Sequence, residues 1–325
     1  MHSKVKPVVT ALAKTVSARQ FARHSVTAFM LIGVNAGALR AQADAGPMVL
    51  RIPSSARSLS LANAGLMSND ADALFYNPAL LFNARGMAVS LQRYGSSGTA
   101  GALASIVTVG SMNIGVGAQI LEWSALPLSY RELTRLGATA LGDSGGVPAS
   151  SVAVTLGIAR NIRGHRLGFT AKYVADRFAA TQDGTLAFDV GMMGPTIGPG
   201  TMSFVVQNIG QGLRIGGAEG KLPTRAGAGW AANTAYEKLD IGVQAQLTVD
   251  RDGFARPAVG GEIGYVPIDG VALVLRNGLR RPRESDESFV TGGLGITIDR
   301  FSLDYAIEPF LNGRSVSHRL GLRIK

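Results

Sequence analysis

From Gly86 to Lys325 the chain alternates apolar and polar residues with a period of two, run after run, and few folds tolerate that pattern. Met112, Ile114, Val116, Ala118 and Ile120 fall on one face, and Ser111, Asn113, Gly115, Gly117 and Gln119 on the other. Successive side chains point to opposite faces only in an extended strand. Residues 151–161 oppose Val152, Val154, Leu156 and Ile158 to Ser151, Thr155, Gly157 and Asn161. Residues 240–250 oppose Ile241, Val243, Ala245, Leu247 and Val249 to Asp240, Gln244, Gln246, Thr248 and Asp250. Fourteen such runs occur, near 86–96, 99–109, 111–123, 150–162, 166–180, 184–194, 201–208, 224–233, 239–250, 257–267, 270–281, 287–298, 300–308 and 315–325. Most approach the ~9–11 residues that a tilted membrane strand needs.

The composition of the two faces tells which solvent each meets. The polar faces carry Gly, Ser, Thr, Asn and Gln rather than the Lys and Glu of a water-facing surface, and charged residues are 17% of the chain, against about 25% in soluble domains. About eight strands already fill a barrel with side chains, so fourteen make one too wide for an apolar interior. The apolar face therefore looks outward into hydrocarbon, which demands a closed sheet because an open edge leaves unpaired backbone groups in lipid. An even strand count suits a single-chain bacterial barrel. Loop lengths agree: connections at 110, 163–165, 268–269 and 299 are short, as on a periplasmic side, and 124–149, 209–223 and 281–286 are longer. The Arg131–Leu136 stretch of the longest loop predicts one or two helical turns. Arg160 and Arg177 lie on apolar rows, but at strand ends, where a lipid-facing charge costs little. Aromatics, at 6%, are thin for two interfacial girdles. The expected fold is all-β, a transmembrane antiparallel β-barrel of about fourteen strands over 86–325. Its rival is a soluble periplasmic or secreted β protein, a structural or binding module with the same faces turned apolar side in.

Residues 44–85 do not alternate. Asp70 to Tyr76 reads as a short helical turn, stopped because Pro78 pushes Asn77 out of the helical region. Serine and aspartate before it offer caps for its free N–H groups. A compact non-β segment ahead of a wide barrel predicts a helical plug. Residues 1–43 read as a cleaved export signal: a basic lead to Arg23, an apolar core from Val26 to Leu39, and Ala41-Gln42-Ala43 as the small-x-small site. That core is too short to span a bilayer, which takes about 20 residues. Six of the basic residues lie in this segment with no acid, so the net charge of +10 falls to +4 without it. No Lys/Arg stripe interleaved with aromatics remains, so nucleic acid is not an expected partner.

No chemistry-bearing motif survives inspection. There is no cysteine, hence no disulfide, thiolate nucleophile or Cys-based metal site. His165 and His318 lack metal-ligand spacing and read as a turn and an interface residue. Gly227, Gly229 and Ala232 match a dinucleotide fingerprint only by letters, since they open no helix. Gly95-Ser96-Ser97-Gly98 is a hairpin turn, not a nucleophile elbow. Asp250-Arg251-Asp252-Gly253 lacks the further ligands of a calcium loop and reads as a turn. The chain is expected to be no enzyme and to hold no cofactor or metal.

Ala56-Arg57-Ser58-Leu59-Ser60-Leu61 and Ala71-Asp72-Ala73-Leu74-Phe75-Tyr76-Asn77-Pro78-Ala79 together resemble the N-terminal signature of the PorV/PorQ family, outer-membrane barrels related to the fatty-acid transporter FadL. Gln207-Asn208-Ile209-Gly210, Leu222–Gly227, Gly261–Tyr265 and Leu303–Ala306 ahead of His318-Arg319-Leu320 extend the resemblance over nearly all of 50–325. It implies a bacterial outer-membrane location, with Asn77-Pro78-Ala79 in a hatch inside the barrel. It also implies one of two functions. PorV-like members serve type IX secretion, so exported proteins or secretion components would meet loops 124–149 and 209–223; outer-membrane assembly is a related role. This reading is preferred. The alternative is FadL-like transport of hydrophobic small molecules through the plug and out sideways, with Phe75, Tyr76, Leu80, Leu81 and Phe82 lining an apolar pocket or packing the plug down.

The alternation places Lys172, Asp176, Asp189, Gln207, Arg225, Asp240, Gln244, Glu262, Asp304, Arg319 and Arg323 toward the lumen. Inward charges of both signs can pair with one another and with Asp70 or Asp72. Such a network either braces a blocked lumen or tunes a gated path.

Overall fold

The computed structural model describes residues 46–94, 98–125, 147–215, 218–283, 287–310 and 316–325. The expected export segment, and the core of the 124–149 connection with its expected helical turns, lie outside the described residues.

Seven strands follow one another first: β1 (Gly86–Tyr94), β2 (Gly98–Val109), β3 (Met112–Ala125), β4 (Val147–Ile162), β5 (His165–Phe178), β6 (Thr181–Ile197) and β7 (Gly200–Gly210). A small hairpin, β8 (Leu213–Ile215) and β9 (Ala218–Gly220), interrupts them. Seven more complete the wall: β10 (Arg225–Tyr236), β11 (Leu239–Asp250), β12 (Ala255–Ile268), β13 (Val271–Arg280), β14 (Val290–Ile298), β15 (Phe301–Glu308) and β16 (Ser317–Ile324). Each wall strand pairs antiparallel with its neighbour, β7 pairs β10, and β1 closes on β16 through Met87 opposite Ile324 and Leu91 opposite Leu320. The result is a closed fourteen-strand barrel. Closure is what hydrocarbon requires of a sheet, since every wall strand then has a partner on both sides.

The two faces fall as the alternation predicts. Leu91 is 68% exposed on the outside, and Leu156, Leu294 and Leu320 are exposed there too, whereas Gln119 is 5% exposed and faces in. An apolar belt of this extent has lipid as its natural solvent. Connections at 110–111, 163–164, 198–199, 237–238, 269–270 and 299–300 are all two residues and share one end of the barrel. At the other end only the turn 179–180 is that short. Arg163 and Gly164 show how such turns are made: both have positive φ (52° and 87°), the backbone that joins two right-twisted strands most tightly.

Residues 46–85 sit inside the barrel as short turns: 3-10 turns at Met48–Leu50, Gly65–Met67 and Pro78–Phe82, and helices α1 (Ala56–Ser60) and α2 (Ala73–Tyr76). None exceeds five residues, far below the ~12–15 that an isolated helix needs, so the wall holds them. Helix α1 packs on β13 to β16, Pro78–Phe82 on β3 to β6, and Gly65–Met67 on β7 and β10. The wall accommodates them with small residues. Ala88, Ala102, Ala104 and Ala159 surround Leu74, Phe75, Leu80 and Leu81. At Gly168 an added Cβ would lie 2.2 Å from the Pro78 carbonyl carbon, and at Gly278 2.2 Å from the Ala62 nitrogen. Plug backbone touches wall backbone at both points.

Three details differ from the sequence reading. Helix α2 begins at Ala73, not Asp70, and Asp72 at its N-cap makes no side-chain cap, because two serine hydroxyls claim its carboxylate. Asn77, in agreement with that reading, is extended (φ −150°) as the following proline requires. The 209–223 connection is not a plain loop, since it carries the β8–β9 hairpin. A fluorophore on Ile114→Cys should be quenched by lipid-soluble quenchers in reconstituted vesicles, and one on Gln119→Cys should not; the reverse pattern would turn the barrel inside out.

Candidate functional site

The plug is pinned by a closed ring of alternating charge. Asp70 meets Arg57 Nη1 at 3.8 Å; Arg57 Nη2 meets Glu262 at 2.6 Å; Glu262 meets Arg276 Nε at 3.0 Å. Arg276 Nη1 then meets Asp304 at 2.7 Å, Asp304 meets Arg323 Nε at 2.6 Å, and Arg323 Nη1 returns to Asp70 at 2.5 Å. Lys325 adds a fourth cation, 2.8 Å from Asp70. Arg57 and Asp70 come from the plug and the rest from β12, β13, β15 and the chain end. The expectation that inward charges pair with the plug therefore holds at Asp70. It fails at Asp72, which forms no ion pair among the described residues: Ser55 and Ser68 each donate a hydroxyl to it at 2.5 Å.

These two carboxyls, two residues apart in the chain, are driven in opposite directions. Burial would raise Asp70, but Arg323, Arg57 and Lys325 outweigh it and hold the carboxyl well below the usual range. Burial raises Asp72, and the Asp70 charge raises it further; the serine hydroxyls and Arg57 oppose only in part. Asp70 thus strengthens docking above its ordinary pKa of 3.8, and that strength is lost as pH falls through its folded value. Asp72 works the other way, favouring the folded plug in acid and losing that contribution as pH climbs through its raised value.

The rest of the plug motif is held by hydrogen bonds. Ser55 and Ser58 form a reciprocal capping box at the start of α1. The Tyr76 hydroxyl accepts the Ser54 N–H at 3.0 Å and lies 2.7 Å from Ser58 Oγ and 2.5 Å from Asn63 Oδ1. Asn77 Oδ1 accepts from Ala79 N–H at 3.1 Å, and Asn77 Nδ2 donates to the Phe204 carbonyl at 3.3 Å. Pro78 opens its 3-10 turn, where its missing N–H costs nothing. Phe75, Leu80 and Leu81 are buried against the wall, so they pack the plug down.

Above the plug the inward rows carry a second polar layer. Lys172 Nζ lies 2.7 Å from Asp189 and 3.0 Å from Asn208 Oδ1. Asp189 sits where β6 and β7 lose register, and its Oδ1 accepts the Asn208 N–H at 2.8 Å in place of a ladder bond. Gln207 donates to the Phe75 carbonyl at 3.0 Å and accepts from Arg225 Nε at 2.8 Å. Arg319 is fully buried and donates to Pro53 O at 2.5 Å, Gln92 Oε1 at 2.6 Å and Ser90 Oγ at 2.8 Å. Asp176 accepts from Ser151. Asp240 faces a vestibule of about 430 Å³ at the short-turn end, which Arg57, Glu262 and Arg323 also line. Gln244 lies beneath the plug beside Leu61 and Met67.

Arg57, Arg276 and Lys325, three of the four cations at the ring, escaped the sequence reading. Arg276 was legible, because it shares an inward row with Gly278 and Arg280. Arg57 was not, since no periodicity marks a turn inside a plug. At the long-loop end Val49, Leu50, Leu121, Val174, Leu213 and Leu222 form an apolar cluster that roofs the lumen. Leu213 and Leu222 come from the 209–223 connection, which thus folds inward over the plug.

No protein-family model matches the chain, and no curated protein matches it. Solved structures do resemble it. The Pseudomonas putida toluene transporter TodX superposes at TM-score 0.56 with 9% identity, over 84% of this chain and 97% of that one. The Ralstonia pickettii toluene transporter TbuX gives 0.55 at 11%, over 85% and 100%. A Pseudomonas aeruginosa FadL homologue gives 0.51 at 11%, over 86% and 99%. At such identities the likeness is one of fold. It falls on the FadL-like side of the resemblance, and nothing in these matches supports the PorV/PorQ assignment or a type IX role.

Asp70→Asn should raise ion conductance in planar bilayers at neutral pH, and should flatten the conductance rise expected of the wild type in acid below the ordinary carboxylate range. Gly168→Ala should also loosen the plug, destabilising the folded barrel by roughly 1–3 kcal/mol through overpacking, read as a lower urea midpoint. Wild-type behaviour of both variants would mean that neither contact holds the plug.

Proposed function

We propose that the protein lets small hydrophobic molecules cross the bacterial outer membrane, through a barrel that its own N-terminal segment keeps closed. The observation that carries this reading is the character of the outer mouth. A water-filled pore keeps its mouth open and polar, but here Val49, Leu50, Val174, Leu213 and Leu222 are buried against one another and close the lumen with an apolar layer. An apolar molecule that parts these side chains exchanges one apolar contact for another, whereas an ion entering the same layer loses its hydration. Below it lies the plug, and beyond that the polar vestibule. A membrane-facing apolar belt and short turns at one end fit an outer-membrane location. The fold shared with the toluene transporters TodX and TbuX agrees with passage of this kind.

Uptake of radiolabelled toluene by a host without its own hydrocarbon channels tests the proposal. Expression of the chain should raise the uptake rate severalfold, and Leu222→Asp, which makes the roof polar, should cut it back. Rates equal to those of cells with an empty vector would refute the reading.

A further inference from the structure

Arg160 lies on the lipid-facing row of β4, after Val154, Leu156 and Ile158 and before Ile162, all four of them exposed. Its register neighbours are Met112 on β3 and Leu167 on β5, and the row continues to Met192 on β6. The setting is apolar on every side. Arg160 is itself exposed and makes no hydrogen bond or ion pair among the described residues. Arg177, on an apolar row at the long-loop end, differs: its Nε donates to the Ala179 carbonyl at 3.3 Å.

The turn that follows adds charge of the same sign. Arg163 is exposed at its tip, and it too makes no hydrogen bond or ion pair among the described residues. The tip is held in place, because Asn161 Oδ1 accepts the Gly164 N–H at 2.9 Å. Arg166 turns toward the plug and lies over Phe82, 5.0 Å from the ring centre. No acid answers these cations. On the described parts of β2 to β7, Glu122, Asp176 and Asp183 sit toward the long-loop end, and Asp189 is buried against Lys172. Short turns across the barrel are unlike this one: Glu237, Asp269 and Asp299 each bring a carboxylate to them.

An arginine on a lipid-facing row is tolerated near a strand end because its stem covers apolar surface while its head reaches the membrane interface. Arg160 stands two residues before the end of β4, roughly 5–7 Å at about 3.3 Å per residue on a tilted strand. What it meets at that level is the lipid phosphate, to which a guanidinium makes paired, charge-assisted hydrogen bonds. A zwitterionic head group brings its own cation, for which no carboxylate stands nearby; an anionic head group brings none. We propose that Arg160 and Arg163 hold the phosphate of an anionic phospholipid, of the phosphatidylglycerol kind, in the leaflet at the short-turn end. Such a contact seats one class of lipid beside β4 and β5, and it does not depend on what crosses the barrel.

The chain has no cysteine, so a single fluorophore on Met192→Cys reports on this patch in the full barrel, reconstituted in phosphatidylcholine vesicles. Quenching curves with phosphatidylglycerol and phosphatidylcholine, each spin-labelled on the acyl chain, give the relative binding constant of the two lipids. It should favour phosphatidylglycerol roughly twentyfold, about fivefold for each arginine. A fluorophore on Ile268→Cys, at the same end but beside Asp269, should report no preference. Arg160→Gln should cut the preference at Met192→Cys about fivefold, and Arg160→Lys should keep most of it. Equal binding of the two lipids at Met192→Cys overturns the proposal without recourse to any charge variant that fails to fold. A preference that survives in the Arg160→Gln/Arg163→Gln double variant overturns it too, as does an equal preference at Ile268→Cys. Inorganic phosphate that abolishes the preference at matched ionic strength would mark a site for free anions and overturn the lipid assignment; persistence of the preference there supports it.

Discussion

The ring of ion pairs through Asp70, Arg57, Glu262, Arg276, Asp304 and Arg323 is the interaction on which the rest of the interior depends. A buried ion pair is weak evidence of stability, because desolvation costs about as much as the attraction returns. Breaking one is different, since the abandoned charge stays buried. Each member of the ring has a neighbour of opposite sign on both sides, so no single member can leave alone. That makes the ring a device for position. It fixes where α1 and the Asp70 turn sit against β12 to β16, and Lys325 adds to it from the last residue of the chain.

The opposite half of the plug is held without charge. There the wall offers alanine and glycine, and the plug offers Leu74, Phe75, Leu80 and Leu81. Asn77 spans the two by hydrogen-bonding its own turn and the Phe204 carbonyl of β7. The apolar half gains from burial in proportion to area and has no directional preference; the charged half has direction and little net gain. A segment with no helix longer than five residues needs both. The same division bears on the proposed passage, since a plug held by ion pairs on one side and by packing on the other can yield on one side while staying seated on the other.

Much of this was legible from residue order. Alternation put Ile114 outward and Gln119 inward, and it sorted Lys172, Asp189, Gln207, Glu262, Asp304 and Arg319 into the lumen. Connection lengths assigned the two ends. Less visible was anything that depends on what lies across the lumen. Asp70 and Asp72 look equivalent in the chain, two acids with one residue between them. One meets three cations and the other two hydroxyls, because residues two apart in a turn point different ways. The bulge at Asp189 and the inward fold of the 209–223 connection are likewise invisible to a period-two pattern, which they interrupt. The resemblance to a secretion-associated family rested on short pieces in order. Such pieces mark a plugged barrel, and they say little about its cargo, because function resides in particular sites on a shared fold.

By itself the sequence determined the barrel: strand number, the face each residue takes, the side on which each connection lies, and the presence of a non-β segment ahead of the wall. These follow from local rules, a two-residue period and the demand of hydrocarbon that every backbone group find a partner. Only the tertiary structure decided which charges meet. Arg57 is 205 residues from Glu262 and Arg323 is 253 from Asp70, and contacts at that separation depend on where a closed wall brings its strands around an object inside it. The ring and the apolar roof are both contacts of that second kind.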